Sequence, residues 1–243
     1  MNIYAYPSSH TRMKSLAILL VLSAIAHADA PIGAISGTVI FEGEAPDRVK
    51  LVRDKDPFCK KTEKLSEDVV VAKGKLKDVL VRVKNGSAGK HAVPAAPVVL
   101  DQRECMYTPR VVGLVAGQKL VVRNSDGTFH NVHGTVNGKL LWNKPQAGGD
   151  PDLALDGAPN AGDVVDIACD VHAWMHAYAV VQDHPYFAVT GENGAFEIKG
   201  LAPGTYTLEA WHPSLGMKSL IVKIGTGPKA TVNARFSYKP TDK

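Results

Sequence analysis

The sequence predicts an all-β protein, and two observations carry that prediction. Apolar and polar residues alternate with a period of two in segments such as 35–42 and 78–84, which is the pattern of strands buried on one face. Between such segments the chain is rich in Gly, Pro and Asn, which favour turns. We therefore expect short strands joined by turns along almost the whole chain.

Residues 1–28 are predicted to be a secretory signal peptide. Arg12 and Lys14 precede the apolar run 15–26, and Ala26-His27-Ala28 is typical of a cleavage site. A buried or anchoring helix is the alternative, but the run is shorter than the roughly 20 residues needed to span a bilayer. No later segment is long and apolar enough for a second span. We therefore expect a periplasmic or secreted protein.

The charge balance favours no nucleic-acid partner. Removing residues 1–28 takes away two basic and no acidic groups, so the formal charge falls from +4 to +2. No basic run remains that would bind a phosphate backbone.

The middle of the chain is predicted to contain several short strands. The charged stretch 54–68 is expected to be a loop, and 85–90 a turn or linker. Residues 137–162 are rich in Gly, Pro and Asn and are expected to form a long loop with one short strand at 153–155. The expected strands are 98–101, 111–114, 119–123, 164–168 and 177–182.

The chain after residue 184 is predicted to return to regular strands. Asn193-Gly194 stands between two alternating segments, 187–191 and 195–201, and this dipeptide is a signal of a β-hairpin. A turn at 202–204 and another strand to Trp211 follow.

A short loop between two predicted strands carries three metal-binding side chains. Cys169, His172 and Met175 lie within seven residues, and His130 or His133, at the end of an upstream strand, offers a further imidazole. One Cys, two His and a weak axial Met are the ligands of a mononuclear blue-copper site. A lone Cys or His in a β-domain is usually structural, but this combination is hard to obtain from packing alone.

These residues resemble the cupredoxin family, and most closely its amicyanin-like and plastocyanin-like members associated with methylamine utilisation. The resemblance covers about 97–182 and is carried by the "HNV" strand end at 130–132 and the short His-x2-Met spacing. It implies a Greek-key β-sandwich holding one type I copper. The implied ligands are His130, Cys169, His172 and Met175.

The resemblance also implies a role for several neighbours of the ligands. Asn131 is expected to hydrogen-bond across to the ligand loop. The edge of His172 is expected to be exposed within an apolar docking patch that includes Ala173 and Trp174, although an inward-packed Trp174 is an equal alternative. Ala173 and Trp174 replace the usual Pro and aromatic of this loop. The roles of His133, His176 and His212 stay open.

A second resemblance concerns the flanking segments. The stretch 190–208 contains Gly-x-Phe-x-Ile at 194–198 and Pro-Gly-x-Tyr-x-Leu at 203–208. It resembles the carboxypeptidase regulatory-like (transthyretin-like) β-sandwich, whose middle strands read T-x-x-G-x-F-x-I and P-G-x-Y-x-L. That family opens with strands like those at 37–41 and 79–83. We therefore expect a discontinuous sandwich of 33–92 plus 184–240 with the cupredoxin inserted at 97–182. A cupredoxin with a separate C-terminal module is the alternative.

The cysteine count favours one disulfide if the copper interpretation holds. Of three cysteines, Cys169 would be the copper thiolate, which leaves Cys59 and Cys105 to pair in an oxidising compartment. Two buried free thiols are the alternative.

The function expected from these features is one-electron transfer between redox proteins, such as a c-type cytochrome or a dehydrogenase, in amine oxidation. We expect no enzyme activity, since the chain shows neither paired His-x-His motifs nor a supported catalytic constellation. The alternatives are a copper storage or delivery protein and a scaffold module without a redox role.

Overall fold

The computed structural model describes Met1 and residues 33–84, 90–155, 159–226 and 231–240. Within these ranges the regular structure is eighteen strands and one 3-10 turn at Cys59–Lys61. In chain order the strands are β1 (Gly33–Phe41), β2 (Val71–Ala72), β3 (Lys75–Leu76), β4 (Leu80–Val83), β5 (Val98–Arg103), β6 (Met106–Thr108), β7 (Val111–Val115), β8 (Leu120–Asn124), β9 (His130–Val136), β10 (Lys139–Gln146), β11 (Leu153–Leu155), β12 (Val164–Ala168), β13 (His176–Gln182), β14 (Phe187–Val189), β15 (Ala195–Leu201), β16 (Gly204–His212), β17 (Gly216–Ile224) and β18 (Thr231–Tyr238).

The all-β prediction is confirmed, because the described residues contain strands and no α-helix. The proposed signal peptide lies almost entirely outside the described residues, as does the turn expected at 85–90. No helix among the described residues is long and apolar enough to cross a bilayer.

Strands from the two ends of the chain pair with each other. One sheet has the order β15-β1-β3-β2, and β18 runs parallel to β1 on the same sheet. The other has the order β14-β4-β16-β17. Alternate residues of these strands face a shared apolar core that includes Ile35, Leu76, Leu208 and Phe236. We call this pair of sheets the terminal sandwich.

The strands between residues 98 and 182 form two further sheets, which we call the central sandwich. Their orders are β10-β9-β12-β13-β7 and β11-β8-β5-β6. The core between them includes Leu100, Val122, Ile167 and the fully buried Met175. This is a two-sheet β-sandwich in the part of the chain where the sequence predicts one. The predicted ligands lie at the start of β9 and in the connection between β12 and β13.

The two sandwiches pack through a small apolar cluster. Leu80 of β4, Val111 of β7 and Val180 of β13 are buried together there. A Cβ atom added at Gly113 would lie 2.4 Å from a ring carbon of Phe187, so only glycine permits this approach of β7 to β14. The described residues beyond 31 belong to one compact unit. The division into domains therefore stays a prediction.

Two local predictions are wrong. The expected long loop at 137–162 contains an eight-residue strand, β10, which pairs with β9. Asn137 and Gly138, both at positive φ, form the turn between them, and this Asn-Gly signal was available in the sequence. Conversely, Asn193-Gly194 does not join a hairpin, because β14 pairs with β4 and β15 pairs with β1 in the opposite sheet.

His212 lies at the end of β16 and is fully buried. Its Nδ1 accepts the backbone N–H of Ser214 at 3.1 Å, whereas its Nε2 has no hydrogen-bond partner. Burial, followed by the nearby Arg110, lowers the pKa of His212 to about 4. The residue is therefore a packed, neutral imidazole in the terminal sandwich.

We predict that His212 makes the protein less stable in acid. As pH falls from about 6.5 towards about 4, the unfolded chain binds a proton at this imidazole that the folded protein does not bind. The loss amounts to about 3 kcal/mol over that window. His212→Asn, which keeps an acceptor for Ser214, should reduce the fall in unfolding free energy between pH 7 and pH 4. Exposed His176→Asn is the control, and identical pH profiles for His212→Asn and wild type would contradict the prediction.

Candidate metal centre

The ligand loop is a tight connection between β12 and β13. β12 ends at Ala168 and β13 begins at His176, and these two residues are paired across the ladder. Inside the loop the N–H of Met175 donates to the carbonyl of His172 at 2.9 Å, and the N–H of Cys169 donates to the carbonyl of Met175 at 3.2 Å. The loop backbone is thus hydrogen-bonded to itself, which fixes where the side chains of Cys169 and His172 point.

His130 is positioned by a turn that the side chain of Asn124 holds. Asn124 Oδ1 accepts the N–H of Asp126 at 3.0 Å, and its Nδ2 donates to the carbonyl of Thr128 at 2.9 Å. These bonds bring the chain from β8 to the start of β9, whose first residue is His130. Tyr107 ties the two ligand-bearing strands together, since its hydroxyl donates to the carbonyl of Asn131 at 2.7 Å and lies 3.2 Å from that of Ala168.

Three of the predicted ligands converge on one buried point. The Nδ1 atoms of His130 and His172 are 3.0 Å apart, and Cys169 Sγ is 3.8 Å from His172 Nδ1. The donor atoms of all three lie within 4.8 Å of one another. Each side chain is at most 3% exposed. A buried thiolate and two imidazole nitrogens in this arrangement fit a copper ion, because copper binds both ligand types.

The pKa values of His130 and Cys169 are both shifted in the direction that favours the charged form. Burial opposes the charged forms, but hydrogen bonds to Asp126 and Cys169 raise the pKa of His130. Although burial disfavours a thiolate, hydrogen bonds from His130 and from backbone N–H groups lower the pKa of Cys169. Burial lowers the pKa of His172 despite its carboxylate partner. Hydrogen bonding thus favours the thiolate form of Cys169, and burial favours the neutral form of His172.

A carboxylate lies behind each imidazole. His130 Nε2 is 2.9 Å from Asp126 Oδ2, and His172 Nε2 is 3.1 Å from Asp56 Oδ2. Asp126 also accepts the N–H groups of Glu104 and Cys105. With the outer nitrogen of each ring hydrogen-bonded to a carboxylate, the Nδ1 atoms face each other and the thiolate. Such partners fix the ring orientation and tautomer of metal-binding histidines.

Residues 53–62, which we call the cover segment, lie over the outer edge of His172. A disulfide joins Cys59 of this segment to Cys105, with the two Cα atoms 5.7 Å apart. Cys59 Sγ is also 3.6 Å from His172 Nε2. His172 is only 2% exposed as a result, so the expected exposed edge of this histidine is wrong. The sequence predicts a charged loop here and a Cys59–Cys105 pairing, but no local pattern indicates that the segment covers His172.

The structure places the remaining predicted site residues around the loop. Asn131 spans to it, because its Nδ2 donates to Asp170 Oδ2 at 2.8 Å and its Oδ1 accepts the Asp170 N–H at 2.7 Å. Met175 is fully buried in the central core. Ala173 is exposed, and Trp174 is half-buried. The docking patch at these two residues stays a prediction.

The spare histidines lie outside the converging group. His133 Nδ1 is 2.6 Å from Asp170 Oδ1, and the histidine side chain is one third exposed. His176 is exposed and its Nε2 lies 3.1 Å from the carbonyl of Ala173. Neither belongs to the group formed by His130, Cys169 and His172.

Two residues at the site, Asp56 and Asp126, were not singled out from the sequence. Asp126 lies only four residues before His130 in the sequence, and this short spacing is the signal that indicates its proximity. Asp56 is 116 residues from His172 along the chain, and no local pattern connects them.

Comparisons with known proteins give partial similarities. Residues 157–232 match the family model described as polysaccharide lyase family 4, domain II, which covers less than half of the chain. No curated protein matches the sequence.

Thirteen chains of solved structures are similar to part of this chain. A purple cupredoxin from Nitrosopumilus maritimus is 23% identical with a TM-score of 0.31, covering 35% of this chain and 99% of that one. Amicyanin from Paracoccus versutus is 22% identical with a TM-score of 0.32, covering 42% and 97%. A copper-containing nitrite reductase from Thermus scotoductus is 16% identical with a TM-score of 0.32, covering 41% and 25%. Similarities at this level carry no argument about function, which depends on the geometry of this chain.

Trp174 contacts several parts of the site. Its Nε1–H donates to the carbonyl of Cys105 at 2.9 Å, its ring centroid is 5.0 Å from that of His172, and Arg53 lies 5.8 Å from the ring. We predict that Trp174→Ala lowers the free energy of unfolding by about 3 kcal/mol, the lower end of the range for aromatic truncation, because the side chain is half-buried.

Urea unfolding of the two variants Trp174→Ala and Trp174→Phe measures this effect. Trp174→Phe keeps the packing and should lose only the hydrogen bond, about 1 kcal/mol. Unchanged stability of Trp174→Ala, together with slower electron transfer to a partner, would instead favour the docking role.

Proposed function

We propose that this chain is an exported copper protein that transfers single electrons. The proposed site is one mononuclear type I centre with His130, Cys169 and His172 as ligands and Met175 as the axial ligand. The observation that carries the proposal is the convergence of two imidazole nitrogens and a thiolate at one buried point. Copper bound there supplies a one-electron couple between Cu(I) and Cu(II).

The donor set favours copper over zinc. Structural zinc sites are usually closed by four Cys, His or carboxylate ligands. Here three such donors meet, and the same loop ends in Met175, which is fully buried. A thioether is a soft ligand that suits copper and is poorly matched to zinc.

The protein residues provide a preformed and dry site. The loop hydrogen bonds and the Tyr107 hydroxyl hold the ligand-bearing strand ends in place. Burial of His130, Cys169 and His172 excludes bulk water. A site held in this way changes little between oxidation states, so less reorganisation accompanies electron transfer.

The basic and apolar residues before the cleavage-site pattern support export to the periplasm or beyond. We propose redox proteins such as a c-type cytochrome or a dehydrogenase as partners, an amine oxidation pathway as the setting, and no enzyme activity. We also propose that 33–92 and 184–240 form one carboxypeptidase regulatory-like domain with a cupredoxin at 97–182, which the pairing of β1 with β15 and β18 supports.

A second candidate function is copper storage or delivery. It is favoured by the cover segment, because His172 is 2% exposed and therefore offers no direct edge to a partner. Reversible voltammetry at a physiological potential supports electron transfer. Tight copper binding without a reversible couple supports storage.

We predict an intense visible absorption band after addition of Cu(II), which arises from thiolate-to-copper charge transfer. Cys169 is the free cysteine among the described residues, so Cys169→Ala should abolish the band. His133→Ala is the matched control and should keep it, since His133 lies outside the converging group. A wild-type protein without the band, or equal loss of the band in Cys169→Ala and His133→Ala, would contradict the proposed ligand set.

We predict that Met175 tunes the reduction potential more than it holds the metal. Met175→Gln replaces a thioether with a harder oxygen donor, which favours Cu(II), so the variant should keep copper and show a lower potential by voltammetry. Met217→Gln is the control, because Met217 is exposed. Loss of copper from Met175→Gln, or an unchanged potential, means that Met175 is not an axial ligand.

A further inference from the structure

We propose that Asp56 is a positioning residue for the metal centre, which orients His172 and sets how strongly the site prefers Cu(II) to Cu(I). The inference rests on the proposed copper function and extends it to a residue outside the central sandwich. Asp56 belongs to the cover segment, which precedes the first strand of that sandwich by about forty residues in the sequence.

The carboxylate of Asp56 is fixed at both oxygens. Oδ1 accepts the N–H groups of Phe58 and Cys59 at 2.7 and 2.8 Å. Oδ2 lies 3.1 Å from His172 Nε2 and accepts the Thr128 hydroxyl at 3.2 Å. The backbone bonds orient the group, and the second oxygen is left facing the imidazole.

This contact determines which nitrogen of His172 carries hydrogen. A carboxylate accepts and cannot donate, so it favours hydrogen on Nε2 and leaves the Nδ1 lone pair directed at Cys169 and His130. The nearby Cys59 sulfur is in a disulfide and is only a weak acceptor, so it does not compete with the carboxylate. The negative charge also makes the imidazole a stronger donor. A stronger donor and a nearby anion both stabilise Cu(II) relative to Cu(I).

The cover segment strengthens this effect because it removes water from the same place. Phe58 packs against the central core, and the disulfide fastens the segment beside Cys105. Electrostatic interactions are stronger where water is excluded. The segment therefore covers the outer edge of His172 and also supplies the carboxylate that holds the ring.

The test is Asp56→Asn. Its amide oxygen can keep the two backbone hydrogen bonds, while its NH2 group replaces the acceptor that faced Nε2. We expect the affinity for Cu(II) to fall about 10- to 100-fold, the usual effect of removing such a partner. Affinity for Cu(I) should fall less, and each tenfold excess loss of Cu(II) binding raises the reduction potential by about 59 mV. Asp54→Asn removes a nearby exposed charge and is the matched control.

The measurements are Cu(II) and Cu(I) affinities by competition, the potential by voltammetry, and the melting temperature of the metal-free proteins. A raised potential in Asp56→Asn, but not in Asp54→Asn, supports the inference. A potential equal to that of wild type overturns it, even if the melting temperature falls, because that is the result of a merely structural role. Failure of the wild-type protein to bind copper would instead defeat the proposed function itself.

A measurement on the wild-type protein keeps the inference testable if the variant does not fold. Nitrogen-15 NMR of the metal-free protein at neutral pH reports which nitrogen of His172 carries hydrogen. We expect hydrogen on Nε2, and hydrogen on Nδ1 overturns the inference.

Discussion

The hydrogen-bonding needs of two buried imidazoles govern the architecture of the candidate metal centre. Each ring directs Nδ1 inwards, so its Nε2 must find a partner away from water, and an unpaired buried polar group is costly. Asp126 meets this need for His130 from the preceding turn, and Asp56 meets it for His172 from a distant segment. The turn held by Asn124, the disulfide and the cover segment all serve to place these two carboxylates.

Much of the site could be predicted because its signals are local. The spacing of Cys169, His172 and Met175 fits a loop between two strands, and the structure contains that loop between β12 and β13. The choice between His130 and His133 was not local, since both lie on β9. It depended on the family resemblance, and the structure brings His130 to the thiolate while His133 faces Asp170.

The cover over His172 could not be predicted, because it depends on contacts over more than one hundred residues. The two wrong predictions about the strands have the same cause, because strand pairing also depends on contacts between distant parts of the sequence. An Asn-Gly pair indicates a turn but does not say which strands pair beyond it. At Asn137-Gly138 the flanking strands pair with each other, whereas at Asn193-Gly194 the chain crosses from one sheet of the terminal sandwich to the other.

The parallel pairing of β1 with β18 limits the order in which the sheets of this protein can form during folding. β18 ends at Tyr238, so the edge of β1 that pairs with β18 has no hydrogen-bonding partner until residues 231–238 have been synthesised. The strands of the central sandwich, by contrast, lie within 98–182 and can all meet much earlier during synthesis. Contacts between distant parts of a sequence form slowly and leave strand edges exposed in the meantime. The region that carries the candidate metal centre can therefore assemble while β1 is still unpaired on one edge, exposed to chaperones and to other chains.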